Sequence, residues 1–229
     1  MEVMSITKDL ITTERASNIN LRIAARVRGL RTEQDLTLDT LAVQCAVSRS
    51  MLSLIERGES SPTAVVLEKV ARGLGVSLAA LFDDPAAPAI PVARREDHTP
   101  WRDPGSGYIR RNISPENYPS PIKIVEVVLP AKTRIAYDSG SREVPLAQQV
   151  WVQQGILDVT VGKMPYRLKQ DDCLAMPLNV PISFHNRTQK LVRYIVVVGN
   201  ERARSGDKIR RSELRDGLNG AGRARPAHN

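Results

Sequence analysis

The sequence predicts a multidomain chain of two fold classes, an all-helical unit followed by an all-β unit. Three observations carry that prediction. From Asn18 to Phe82, apolar residues recur at the three- and four-residue spacing of helices. Asp83–Pro91 reads DDPAAPAIP, and Pro85, Pro88 and Pro91 cannot continue a helix, so this stretch predicts a semi-rigid linker. Beyond it the period falls to two, in runs of Val and Ile bounded by Gly, Pro, Asn and Asp.

In chain order, the first helix places Ile23, Val27 and Leu30 on one face with Ala24 beside them, and Arg22, Arg26 and Arg28 off it. A second helix fits Leu38–Cys45, with Thr37 as N-cap and Leu38, Leu41 and Ala42 apolar. A third fits Arg49–Arg57, capped by Ser48 and stopped by Gly58, with Leu52 and Ile55 inward. Ser61-Pro62-Thr63 opens a fourth, which sets Leu67, Val70, Ala71 and Leu74 on one face and ends at Gly75. Ser77 caps a short fifth turn through Leu81-Phe82. Strands are expected at Ile122–Leu129, Gln148–Gln153, Leu157–Val161 and Leu191–Val198. The expected division is a lead-in over 1–17, a helical domain over 18–83, a linker over 84–107, a β domain over 108–199 and a disordered basic tail over 200–229.

Composition narrows the function classes. Of 229 residues, 41% are hydrophobic, enough for packed cores, and the length suits one large or two small domains. No run approaches the roughly 18 apolar residues that cross a membrane. The first ten residues lack a signal-peptide core, and Cys45 and Cys173 make no disulfide framework, so a cytoplasmic protein without a membrane partner is expected. Cys173 reads as a small buried hydrophobe. Three histidines, His98, His185 and His228, argue against a His-rich metal site. The net charge of +8 suggests a polyanionic partner. Its distribution complicates that inference, because residues 1–83 hold 10 basic and 10 acidic side chains. The excess lies beyond residue 83.

The second and third helices join through Cys45-Ala46-Val47, which leaves room only for a tight turn. Such a pair exposes the N-terminal end of its second helix, and a helix so presented fits the DNA major groove. Ser48, Arg49, Ser50 and Ser53 face away from Leu52 and Ile55. Arginine bonds guanine bidentately, serine bonds base or phosphate, and free helix-start amides suit phosphate oxygens. Glu56 is assigned to an arginine of the first helix, such as Arg31, because a carboxylate facing phosphate is repelled. Arg57 reads either as a phosphate contact or as a solvated charge.

Residues 36–82 resemble the XRE-type helix-turn-helix family through Leu41-Ala42, Val47-Ser48, Leu52-Ser53, Ile55-Glu56-Arg57-Gly58, Pro62 and Leu74-Gly75-Val76. The resemblance implies a five-helix, lambda-repressor-like DNA-binding domain. It implies that Arg49, Ser50 and Ser53 face bases and that Thr37, Gln44 and Ser48 lie near phosphates. Ala46 departs from the family, which usually has glycine at that turn. Alanine there costs about 1 kcal/mol if the turn needs a positive φ.

In the β unit, Gln148 and Gly155 keep the spacing of the glutamate and glycine in the first cupin motif. Asp171, Pro177, Asn179, Ile182 and Asn186 keep the spacing of the second. Residues 108–198 thus resemble a cupin-like double-stranded β-helix, a jelly-roll barrel. The resemblance also marks replaced ligands. Gln148 stands for the metal-binding Glu and Ile182 for a His, and the paired His positions fall on Arg142 and Val144 or on Ser141 and Glu143. No metal, cofactor or catalytic residue is expected. Alternation turns Gln148, Val150, Val152, Ile182 and Phe184 inward, and Trp151, Ser183 and His185 outward, with Trp151 packed either in a dimer or interdomain contact or against the barrel's outer layer. Arg142, Glu143, Gln148, Ile182 and Phe184 are the candidate ligand-binding residues.

The expected function is a sequence-specific DNA-binding transcriptional regulator, working as a homodimer on a double-stranded operator. Its cupin-like domain senses a small-molecule effector, pairs subunits, or both. The alternative is a metal-dependent cupin enzyme, an isomerase or dioxygenase, with an appended helical domain.

Overall fold

The computed structural model describes residues 19–84, 86–138 and 146–200. The lead-in 1–17, the tail 201–229 and the candidates Arg142 and Glu143 lie outside the described residues.

Among the described residues four α-helices come first: α1 over 19–33, α2 Leu38–Cys45, α3 Arg49–Glu56 and α4 Ala64–Gly73. Local chemistry sets their bounds. Thr37, Ser48 and Thr63 accept from Thr40 N, Met51 N and Val66 N, satisfying amides that a helix start leaves orphaned. The expected fifth helix is instead a 3-10 turn, Leu78–Phe82, capped by Ser77. Five residues followed by an extended Asp83 and the proline-rich stretch leave no room for an α-helix.

Ile23, Val27 and Leu30 of α1 meet Leu41 and Cys45 of α2, Leu52 and Ile55 of α3, and Leu67, Val70 and Ala71 of α4 in one buried core. Leu38 and Ala42, the other apolar residues expected on α2, border it. Gly73 permits the closest approach, because a Cβ there would sit 2.8 Å from the Cys45 Cβ and 3.2 Å from its backbone. The α2–α3 turn does require a left-handed residue, and Ala46 supplies it at φ 51° and ψ 46°. Left-handed alanine is strained by roughly 1–2 kcal/mol, and glycine costs part of that back in unfolded-chain entropy. Ala46→Gly is therefore expected to stabilise the protein by about 0.5 kcal/mol. Thermal unfolding checks this, and a lowered midpoint would contradict it.

Among the described residues the β unit holds ten strands: β1 Trp101–Arg102, β2 Ile109–Asn112, β3 Ile122–Leu129, β4 Arg134–Tyr137, β5 Leu146–Gln154, β6 Leu157–Val161, β7 Met164–Leu168, β8 Cys173–Pro177, β9 Ile182–His185 and β10 Val192–Asn200. They form a six-stranded sheet, β1-β2-β3-β10-β5-β8, and a four-stranded sheet, β4-β9-β6-β7. Every pairing is antiparallel. Gly155 turns β5 into β6 at φ 89°, where an added Cβ would lie 3.1 Å from the Leu191 carbonyl.

Several expectations change here. The stretch expected as linker, 84–107, contains a 3-10 turn at Arg95–Asp97 and strand β1. It is anchored by Trp101, which packs edge-to-face between Phe82 at 5.4 Å and Tyr108 at 5.9 Å. Cys173 is exposed, not buried, because β8 is an edge strand and Cys173 stands opposite outward-facing Trp151. Trp151 itself is 46% exposed, with no outer layer covering it among the described residues, which leaves the alternative of a contact with another chain or unit.

The two units pack together. Asp103 Oδ1 accepts from Ala64 N at 2.7 Å, Asn112 Nδ2 donates to the Ala79 carbonyl at 2.9 Å, and Lys123 pairs with Asp83 at 3.0 Å. On α1, Arg22 bridges Asp84 and Glu116.

Candidate nucleic-acid interface and barrel cavity

The α2–α3 pair presents a polar edge built by burial elsewhere. Leu52 and Ile55 are buried in the helical core, so Ser48, Arg49 and Ser50 on the first turn of α3 are left exposed. Ser48 Oγ accepts from Met51 N at 3.2 Å and lies 3.2 Å from Ser50 Oγ. Arg49 Nε sits 3.1 Å from Asp39 Oδ1, which joins the first turns of α2 and α3. Both side chains are mostly exposed, so this pair is worth little and Arg49 is free to exchange Asp39 for another acceptor.

Thr37 and Gln44 are also exposed on α2, Thr37 as its N-cap. Ser53 is half-buried and accepts from Arg57 Nη1. Arg57 also pairs with Glu59 at 2.8 Å, and that hydrogen bond raises its pKa further. Arg57 thus stands at the far end of α3 from Arg49, already engaged with two partners. Behind this surface, Glu56 accepts two hydrogen bonds from Arg31, at 2.6 and 2.9 Å, and so ties α3 to α1.

The second site lies between the sheets. A cavity of about 60 Å³ is lined by Tyr108 just ahead of β2, by the six-stranded sheet through Arg110, Gln148 and Tyr194, and by the four-stranded sheet through Ile182 and Phe184. Its remaining wall comes from the helical unit, through Glu68, Ser77, Leu78 and Ala79. Three expected ligand residues therefore converge here: Gln148, Ile182 and Phe184. Phe184 stacks on Tyr194 at 5.7 Å, and Gln148 Nε2 donates to Met176 Sδ at 3.4 Å. His185 is not in the lining. Burial and neighbouring Arg187 and Arg134 lower its pKa. Asn186 is fully buried and serves the chain turn, donating to the carbonyls of Leu129, Pro130 and Lys190.

Sequence reasoning did not identify Arg110, the tyrosines Tyr108, Tyr137 and Tyr194 that share its lining, or the Ser77–Ala79 wall. A signal was present in Tyr108, Arg110 and Asn112, large polar groups at period two, which a search for apolar alternation passes over.

Comparison with known proteins bears on both units. The family described as Helix-turn-helix (HTH_3) matches residues 27–81. The control protein C.MunI of Mycoplasma sp is 36% identical over 69 residues, 30% of this chain and 93% of that protein. The chain belongs to this helix-turn-helix family. The HTH-type transcriptional regulator SutR of Escherichia coli (strain K12) is 36% identical over 75 residues, 32% of this chain and 42% of that one. The crystal structure of an HTH_3 family transcriptional regulator from Vibrio cholerae superposes with a TM-score of 0.65 at 25% identity. That superposition covers 80% of this chain and 98% of the other, so it spans the helical unit and the β unit together. The helix-turn-helix unit is thus followed, as in that regulator, by a β unit, the one whose sequence resembles a cupin.

A cupin-like barrel raises the question of a metal. The residues at the motif positions do not fit one, since the Gln148 amide is turned to a thioether and Ile182 is an apolar wall. Among the described residues no group of three His, Cys, Asp or Glu converges. Among them too, no helix is long and apolar enough to cross a membrane.

Proposed function

We propose that this helix-turn-helix protein is a sequence-specific transcriptional regulator of the cytoplasm, acting as a homodimer on double-stranded DNA. The observation that carries this reading is the exposed Ser48-Arg49-Ser50 turn at the start of α3, held outward by buried Leu52 and Ile55 within the matched family segment. Arg49 and Ser50 read bases, with Ser53 beneath them. Thr37, Gln44, Ser48 and the first amides of α3 hold phosphates, and Arg57 adds a backbone contact. Two-fold pairing makes the operator a palindrome with half-sites about 34–36 Å apart.

The cavity is the effector site in this reading. Its wall of Ser77, Leu78 and Ala79 follows directly on α4, so a bound molecule touches both units and can favour one arrangement of them. In this reading the barrel binds and does not catalyse, since Gln148 and Ile182 occupy two of the positions where the cupin motifs carry metal ligands.

Selection from a randomised duplex library tests the DNA reading. The native protein is expected to enrich a palindrome. Arg49→Ala is expected to lose preference at one base pair of each half-site, by about 1–3 kcal/mol, while unfolding like the native protein. Unchanged selection by Arg49→Ala would refute the recognition assignment.

A further inference from the structure

The cavity holds a buried cation whose hydrogen bonds the fold does not complete. Arg110 on β2 is 7% exposed, yet its Nε has no hydrogen-bond acceptor among the described residues. Its guanidinium lies over the Phe82 ring, 5.2 Å from the centroid. Desolvating a cation without a counter-charge is costly, and an aromatic face offsets only part of that cost.

The surroundings are built around this charge. Tyr108, Tyr137 and Tyr194 line the same cavity, and the Tyr108 and Tyr137 hydroxyls lie 3.4 Å apart. Burial pushes all three phenols upward, and in each the charge of Arg110 opposes the rise, which places that charge near all three. The phenols therefore stay protonated and able to donate. The rest of the lining is largely apolar, from Val127, Ile182, Phe184, Val196 and Val198. Among the described residues the acidic side chain of the lining, Glu68, comes from α4, so an anion is favoured toward the β2 side. The volume of about 60 Å³ corresponds to roughly four to six water sites, which suits a short-chain molecule.

We propose that this cavity binds a small organic carboxylate, with Arg110 pairing its anionic end, the tyrosine hydroxyls donating to it, and the apolar wall holding its body. This rests on the sensing role proposed above and supplies the chemical class of the effector.

The test is a thermal-shift titration of the full chain with acetate, propionate, butyrate and succinate. Each is set against its uncharged amide, with ionic strength matched by chloride. A saturable upward shift with at least one acid and none with its amide is expected. Arg110→Gln is expected to weaken that binding about ten- to a hundredfold, and Arg110→Lys less. If Arg110→Gln does not fold, the acid-against-amide comparison on the native chain decides alone. An amide that binds as well as its acid would overturn the carboxylate class and leave sensing intact. No shift with any acid would overturn the site itself, whereas operator selection by the same preparation would leave the DNA reading standing.

Discussion

Replacing Glu56 by alanine is expected to destabilise the helical unit by about 3 kcal/mol. The Glu56 side chain is 7% exposed and that of Arg31 15%, so the pair is largely out of water. The contact is bidentate, with Arg31 Nε and Nη2 on the two carboxylate oxygens, while Arg31 Nη1 donates to the Leu36 carbonyl. The hydrogen bond to Glu56 is the main cause of a raised Arg31 pKa. Removing Glu56 leaves a cation tethered at Leu36 with its strongest acceptor gone, and such a stranded charge costs more than the pair itself contributes. The double replacement Arg31→Met with Glu56→Leu is therefore expected to recover most of the loss. Denaturant unfolding of the native chain, Glu56→Ala and the double variant measures it. A loss below about 1 kcal/mol for Glu56→Ala would mean that water satisfies Arg31 unaided.

Glu56 also shows what kind of information the sequence carried. Its role was legible because repulsion from phosphate leaves few partners for a carboxylate on that helix, and α1 supplies arginines at the right height. The helix starts were legible for a similar reason, since Thr37, Ser48 and Ser77 each satisfy an amide within their own segment. Strands β3 and β6 were legible because their Val and Ile content matches a buried, regularly alternating position.

What stayed hidden depended on distant partners. β7 and β8 are the edge strands that carry Pro165 and Pro177, residues that demote a strand when read locally but are tolerated at a sheet edge. β2 reads IRRN, and nothing local says that Arg110 is to be buried against Phe82, 28 residues earlier in the chain. The cavity was only half legible for the same cause. Gln148, Ile182 and Phe184 follow from alternation, whereas its helical wall exists only because the two units dock.

That docking has a centre whose removal is expected to cost about 2–4 kcal/mol. Asp103 is 4% exposed and belongs to the β unit, yet its Oδ1 accepts from Ala64 N at the start of α4. Its Oδ2 accepts from Ser106 N and Ser106 Oγ, both at 2.6 Å. The helix's own cap, Thr63 Oγ1, reaches Val66 N only at 3.4 Å, so Asp103 acts as a second cap delivered from another unit. Asp103→Ala strands the Ala64 and Ser106 amides and removes a negative charge from a helix N-terminus, at about 1–3 kcal/mol for each buried donor. Asp103→Asn keeps one acceptor oxygen and is expected to lose about half as much.

The consequence extends past stability, because α4 leads into the Ser77–Ala79 wall of the cavity. With α4 released from the barrel, a molecule in the proposed effector site is expected to lose its influence on the position of α3. In Asp103→Ala, effector binding and operator binding are expected to persist at a temperature where both units are folded, while the effect of one on the other falls toward zero. Operator titrations with and without saturating effector, for native chain and variant, give that coupling directly. Coupling of native size in a destabilised Asp103→Ala would show that the signal passes by another route, such as Asn112 to the Ala79 carbonyl.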